Sequence, residues 1–298
     1  MKLIVAFSLS VLLATTTSQF VEAADCPSPP PALGRLHIDF VQWQVLPSRV
    51  LGSNNSLPGV KGTPLSYDAQ GTRAVSVVFE FPAGWLMEKA HYVNSDQEFL
   101  VLSGELQFDD TVYGPGDYAY IPAGFPHKLL RSQPGATVLN FYEGEHLAFY
   151  SDAPPGMYQP RKLIRKIAAG PYRGRKLLRR DHDNGEETWL VRVPAATARQ
   201  LRSRGVSTQQ DFVQEMFVLD GDVATPRGIM RAGAYSWHAP NTAIGPQVTT
   251  SGYTALLRSK GGPPHGRTER VALPAALDAP YMPCVPDSLR ATVMPKAN

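Results

Sequence analysis

The feature that most constrains this chain is that it writes one succession of short strands twice. Gln97-Glu98-Phe99-Leu100-Val101-Leu102-Ser103-Gly104-Glu105-Leu106 returns, 117 positions further on, as Gln214-Glu215-Met216-Phe217-Val218-Leu219-Asp220-Gly221-Asp222-Val223. The same offset carries Gly116-Asp117-Tyr118 onto Gly233-Ala234-Tyr235, Val138-Leu139 onto Ala255-Leu256, and Gly144 onto Gly261. Upstream the register slips: Phe79-Glu80-Phe81-Pro82-Ala83 best matches residues 190–195, as one short insertion would produce. A repeat of this length is a domain-sized unit used in tandem, which suits a chain of 298 residues.

Each unit reads as antiparallel β structure. Residues 75–81 form a β-rich run stopped by Pro82-Ala83-Gly84, and residues 99–102 form a compact apolar strand with a turn or bulge at Ser103-Gly104. Leu106-Gln107-Phe108 alternates before an Asp109-Asp110 turn, residues 118–121 make a further strand ended by Pro122-Ala123-Gly124, and residues 138–142 close the unit. The 25 Gly and 27 Pro punctuate many short strands, and only residues 195–204 suggest a helix. With 43% hydrophobic and 18% charged residues, the chain has a core to bury and too little charge for disorder.

The first residues read as a signal peptide over 1–23. Lys2 precedes an apolar stretch at residues 3–14, and Val21-Glu22-Ala23 offers a small-residue cleavage site. The stretch is shorter than the ~20 residues of a spanning helix, so no membrane span is expected after cleavage, and the mature chain is expected to be secreted or periplasmic. In such a compartment Cys26 and Cys284 are expected to pair, tying the ends of the mature chain together. Asn54-Asn55-Ser56 is a glycosylation acceptor pattern at Asn54, meaningful in a eukaryotic source. The net charge of +3 is modest, and its basic cluster at residues 161–180 reads as a solvated connection between the repeats. No aromatic stacking pattern accompanies it, so no nucleic-acid partner is expected.

The loops carry the chemistry. Gly116-x5-Pro122-x-Gly124-x2-His127 matches the second cupin motif at every spacing, except that Arg131 stands at its terminal Asn. The first motif is eroded: Gly84 and Gly104 bound it, His91 takes the first His place one residue late, Val93 replaces the second His, and Gln97 replaces the Glu. Glu98 is one step off and should point to the opposite face of its strand. With residues 79–85, 118–124 and 187–192, this pattern resembles ChrR-like cupin proteins over residues 70–262.

The resemblance implies an all-β bicupin of two tandem jelly-roll barrels. The expected division is an extension at 24–68, a first barrel at 69–150, a linker with strands at 151–186, a degenerate second barrel at 187–265 and a tail at 266–298. It implies a mononuclear site of His91, Gln97 and His127 in the first barrel, for a divalent Fe, Cu, Mn, Ni or Zn ion. Tyr92 or Glu88 is an alternative ligand if the loop is shifted, and Glu88 or Glu98 a conceivable base. Phe99, Val101, Tyr118 and Tyr120 are expected to line the cavity of that barrel. In the second barrel Thr208 and Ile244 stand at the His91 and His127 places, so it should be metal-free, packing on the first or holding an apolar ligand in a vestigial cavity. His238 reads as a core or surface histidine there.

Two functions stay open. One is a metal-dependent oxygenase acting on a small chelating substrate; the other is a non-catalytic small-molecule-binding or storage-like bicupin without metal. A metal-sensing role, the third idea, fits poorly with export. Homodimerisation through sheet edges is a common cupin habit. The chain holds no G-x-S-x-G nucleophile elbow and no Gly-rich phosphate loop, which argues against hydrolase and nucleotide chemistry.

Overall fold

The structure, a computed structural model, describes residues 38–53, 55–68, 73–143, 147–201, 205–262 and 266–271. The signal peptide, Cys26, Cys284 and Asn54 lie outside the described residues. Nearly all regular structure is antiparallel strand, with one turn of helix at Ala198–Leu201 inside the stretch where the sequence suggested it. Among the described residues no helix is long and apolar enough to cross a membrane.

Two barrels result, each made of a large sheet facing a small one. The large sheet of the first runs Ile164–Ile167, Tyr118–Ile121, Asp96–Gly104, Ala136–Glu143, Ala74–Phe81, Lys61–Tyr67, Arg49–Val50, and its small sheet Trp85–Met87, Leu130–Ser132, Leu106–Phe108, Thr111–Tyr113. The second repeats the plan: Ile38–Gln42, Ala234–His238, Val213–Thr225, Tyr253–Lys260, Glu187–Val193, Arg175–Arg180, facing Ala243–Ile244, Gly205–Gln210 and Gly266–Val271. The repeat's glycines explain why the turns recur. Gly104 and Gly221 both have positive φ, 72° and 79°, and a Cβ on either would collide with a backbone carbonyl, of Gly135 and Gly252 respectively.

The two barrels exchange edge strands. Ile38–Gln42, which precedes the first barrel, pairs with Ala234–His238 of the second. Ile164–Ile167, which precedes the second, pairs with Tyr118–Ile121 of the first. The extension and the connecting segment thus each supply strands to a large sheet. The basic cluster is not simply a solvated connection: Ile164–Ile167 and Arg175–Arg180 are sheet strands, Lys162 and buried Arg179 pair with Asp181, and Lys166 pairs with Asp117 at 2.7 Å.

Three apolar clusters follow from strand alternation. Phe99, Val101, Ala119, Ile121, Val138 and Tyr142 fill the first barrel; Met216, Val218, Val223 and Met230 fill the second. The third lies between the barrels, where Leu100, Tyr118, Tyr120, Leu139 and Phe141 meet Phe217, Tyr235, Trp237 and Leu256. This corrects one expectation. Phe99 and Val101 are inside the first barrel, but Tyr118 and Tyr120 face the other barrel. In an antiparallel ladder directly opposed residues share a face; Tyr118 opposes Leu100 and Tyr120 opposes Glu98, both outward, while Ala119 and Ile121 oppose the inward Phe99 and Gln97.

A buried polar knot sits in that interface. Glu98 accepts hydrogen bonds from Tyr118 of its own barrel, at 2.8 Å, and from Thr188 of the other. Glu215 accepts from Tyr235 of its own barrel at 2.7 Å and from Ser76 of the other at 2.9 Å. Arg258 lies between the carboxylates, pairing with Glu98 at 2.8 Å and with Glu215, and covers the Phe141 ring at 4.1 Å. Burial alone would raise the Glu98 carboxyl, but Arg258 and Arg179 outweigh it and hold it below the usual range.

Candidate metal centre in the first barrel

His91 and His127 meet because their backbones form a two-bond bridge. The His91 N–H donates to the His127 carbonyl at 2.9 Å, and the His127 N–H to the His91 carbonyl at 2.8 Å. Residues so paired project side chains to one face, and the ring centroids lie 5.5 Å apart. The motif loop is pinned by Asp96, which accepts from the Ala123 N–H at 2.7 Å and from the Tyr120 hydroxyl. Gln97, the next residue, points inward from the Asp96–Gly104 strand.

His91, Gln97 and His127 all line one enclosed cavity, with Val93, Phe108, Leu130, Asn140 and Tyr142 among its walls. All three expected ligands thus line one cavity, and Val93 puts an isopropyl group where the motif would have a third imidazole. Of the alternatives, Glu88 is exposed, Tyr92 stacks on Phe149 at 5.1 Å, and Glu98 is buried in the interface, so neither glutamate faces the cavity. Asn140 was not anticipated. Its one sequence signal is a polar residue in the middle of the apolar run Val138-Leu139-Asn140-Phe141-Tyr142.

The electrostatics favour lone pairs over protons. His91 Nδ1 lies 2.9 Å from the Lys89 carbonyl, which can only accept, so Nδ1 carries the hydrogen and Nε2 the lone pair. Burial lowers the His91 pKa, only partly offset by that hydrogen bond and by Asp109. His127, packed against Phe108 and Phe125, is pushed down to about 3 by burial and then by His91. Its Nδ1 is buried with no hydrogen-bond partner, with an Asp109 carboxylate oxygen 4.0 Å away. Gln97 donates its amide N–H to Asn140 Oδ1 at 2.8 Å, which turns its carbonyl oxygen to other work.

This donor set fits a borderline divalent ion: two neutral imidazoles and a carboxamide oxygen around a cavity of about 20 Å³. That volume is near one water or one ion. Among the described residues no group of three His, Cys, Asp or Glu converges, so the set carries no negative charge and should bind more weakly than one with a carboxylate.

In the second barrel the backbone bridge persists as Thr208 opposite Ile244, without imidazoles. His238 is buried and opposes Gln214, and it lines a cavity of its own.

Comparison with known proteins agrees with this architecture. Residues 44–147 match the ChrR cupin-like domain family. No curated protein matches the chain. Among solved structures, a dioxygenase-like protein of Nostoc punctiforme superposes with a TM-score of 0.63 at 16% identity, covering 89% of this chain and 92% of its own. A salicylate 1,2-dioxygenase mutant of Pseudoaminobacter salicylatoxidans, in complex with gentisate, gives 0.53 at 9% identity, covering 83% and 88%. The E. coli protein YlbA gives 0.51 at 10% identity, covering 75% and 90%. The chain has the two-barrel fold of the cupin superfamily, with a first barrel that resembles the ChrR cupin-like domain.

Proposed function

We propose that the first barrel holds one divalent transition-metal ion through His91, His127 and the Gln97 carbonyl oxygen, and serves an oxygenase reaction on a small chelating substrate. The observation that carries this reading is the convergence of two imidazoles kept neutral by burial on a cavity of single-ion size. When bound, the ion supplies Lewis-acid polarisation of a chelating substrate and a meeting place for oxygen. The chain's own residues do the rest. Lys89 fixes the His91 tautomer, Asn140 fixes the Gln97 amide, and Phe81, Leu106, Phe108 and Leu130 keep water out. A substrate larger than water needs more room than the cavity of about 20 Å³ offers, so its walls, Ser56 and Leu57 among them, must give way to admit it. The leader at residues 1–23 supports export of the mature protein.

The test is metal content by mass spectrometry on untagged mature protein, beside His127→Ala. Near-stoichiometric metal that vanishes in the variant is expected, followed by oxygen uptake with diketones or flavonols as probes. No bound metal after incubation with iron, copper, manganese, nickel and zinc salts overturns the reading. The second reading, a metal-free binding bicupin, is favoured by one observation, the replacement of a carboxylate and an imidazole by Gln97 and Val93.

A further inference from the structure

The turn after the Leu106–Phe108 strand is strapped to the loop that carries His127. Asp109, part-buried and in the left-handed region at φ 47°, donates its backbone N–H to the Leu129 carbonyl at 2.8 Å. Its Oδ1 accepts the N–H groups of Lys128 at 2.8 Å and of Leu129 at 2.9 Å. These three bonds occupy Oδ1 and the backbone; the other carboxylate oxygen, Oδ2, lies 4.0 Å from His127 Nδ1.

Nδ1 is buried and has no hydrogen-bond partner. A neutral imidazole must place its one hydrogen on Nδ1 or on Nε2. On Nδ1, the N–H dipole points at a carboxylate; on Nε2, the Nδ1 lone pair faces one. The contact is about 1 Å too long for a hydrogen bond. A charge at that range in a buried site still separates the two tautomers, and the first is the favoured one.

The internal repeat adds an independent observation. Phe108 opposes Thr111 across this turn as Thr225 opposes Gly228 across its counterpart, so Asp109 corresponds to Pro226. His127 corresponds to Ile244, as the two bridges show, and Leu129 to Pro246, which has no N–H to give. The barrel without the imidazole therefore also lacks the carboxylate and one of the donors that hold it.

We propose that Asp109 is a positioning residue for His127: it keeps the ring hydrogen on Nδ1 and so presents the Nε2 lone pair to the cavity. Its bearing on metal rests on the reading of His127 as a ligand. The two imidazoles then act alike, each with Nδ1 facing an oxygen, the Lys89 carbonyl for His91 and Asp109 for His127.

Nitrogen NMR of the imidazole rings, on isotope-labelled mature protein in EDTA at neutral pH, reads the tautomer without metal, and His127→Ala assigns the signal. Asp109→Asn is the decisive variant. Asparagine tolerates positive φ, and its Oδ1 can keep both backbone N–H groups, which obliges the amide N–H to face Nδ1. The expected result is a His127 signal that changes from the Nδ1–H to the Nε2–H pattern, with metal affinity about tenfold to hundredfold lower. Asp109→Gly, which gives up the carboxylate at a φ that glycine accepts, should leave both tautomers populated and serves if Asp109→Asn fails to fold. A residue that only braced the turn would leave tautomer and affinity unchanged in Asp109→Asn. Either of those results, or an Nε2–H tautomer in the unsubstituted protein, overturns the assignment. The expected tautomers in a protein that takes up no metal support the action of Asp109 on the ring and overturn the metal reading alone.

Discussion

His127 has its side chain closed in by Phe108 and Phe125, and its burial has a cost that pH exposes. In the metal-free protein its folded pKa, about 3, lies below the ordinary 6.5, so the unfolded chain binds the proton more readily. Stability is therefore full above about pH 6.5 and falls as pH drops toward 3. For His127 alone the loss between about pH 7.5 and pH 5 is about 2 kcal/mol, measurable by urea denaturation in EDTA. His127→Leu should flatten that slope, and an unchanged slope would refute the assignment. At this scale the sequence was informative where spacing was rigid. The Gly116-to-His127 spacing placed His127, and strand alternation separated inward Gln97 from outward Glu98. It was silent on Asn140, because nothing in an apolar run says which single polar residue will meet Gln97 across the sheet.

Strands and loops decide access to the site. The wall segment Ser56-Leu57 is tied down by the Tyr150 hydroxyl, which donates to the Asn55 carbonyl at 2.9 Å, while the Tyr150 ring lies under Lys89 Nζ at 3.9 Å. Tyr150→Phe removes that tie and keeps the ring. The expected result is faster metal uptake and chelator stripping with little change in equilibrium affinity, read by stopped-flow competition with a coloured chelator. Unchanged rates would show that this wall does not gate the cavity. The same scale shows why Tyr118 and Tyr120 were misplaced by sequence reasoning. Tyr118-Ala119-Tyr120-Ile121 is apolar on both faces and buried on both, so its period names no inside; only the pairing with Leu100 and Glu98 does. Edge-strand exchange was equally hidden, since Ile38–Gln42 and its partner Ala234–His238 are remote in sequence and share no short-range signal.

Across the whole molecule, the repeat foretold two barrels but not how they are joined. Arg258 is buried between Glu98 and Glu215, and removing it strands two carboxylates away from water. Arg258→Met should cost about 3–5 kcal/mol in denaturant unfolding, and the triple variant with Glu98→Gln and Glu215→Gln added should recover much of it. A loss below about 1 kcal/mol would mean that the pair is solvated or replaceable. The knot also has a genealogy written into it. Each glutamate takes one hydroxyl from its own barrel and one from the other, the reciprocity of two identical subunits meeting across a dyad. Arg258 breaks the reciprocity, because its counterpart by the repeat is Phe141. Two copies of the first barrel in this arrangement would oppose two glutamates with phenylalanines where a cation now stands, whereas two copies of the second would hold two arginines for two glutamates. The joint thus depends on the halves being unlike, one giving the Phe141 ring where the other gives the arginine that serves both carboxylates.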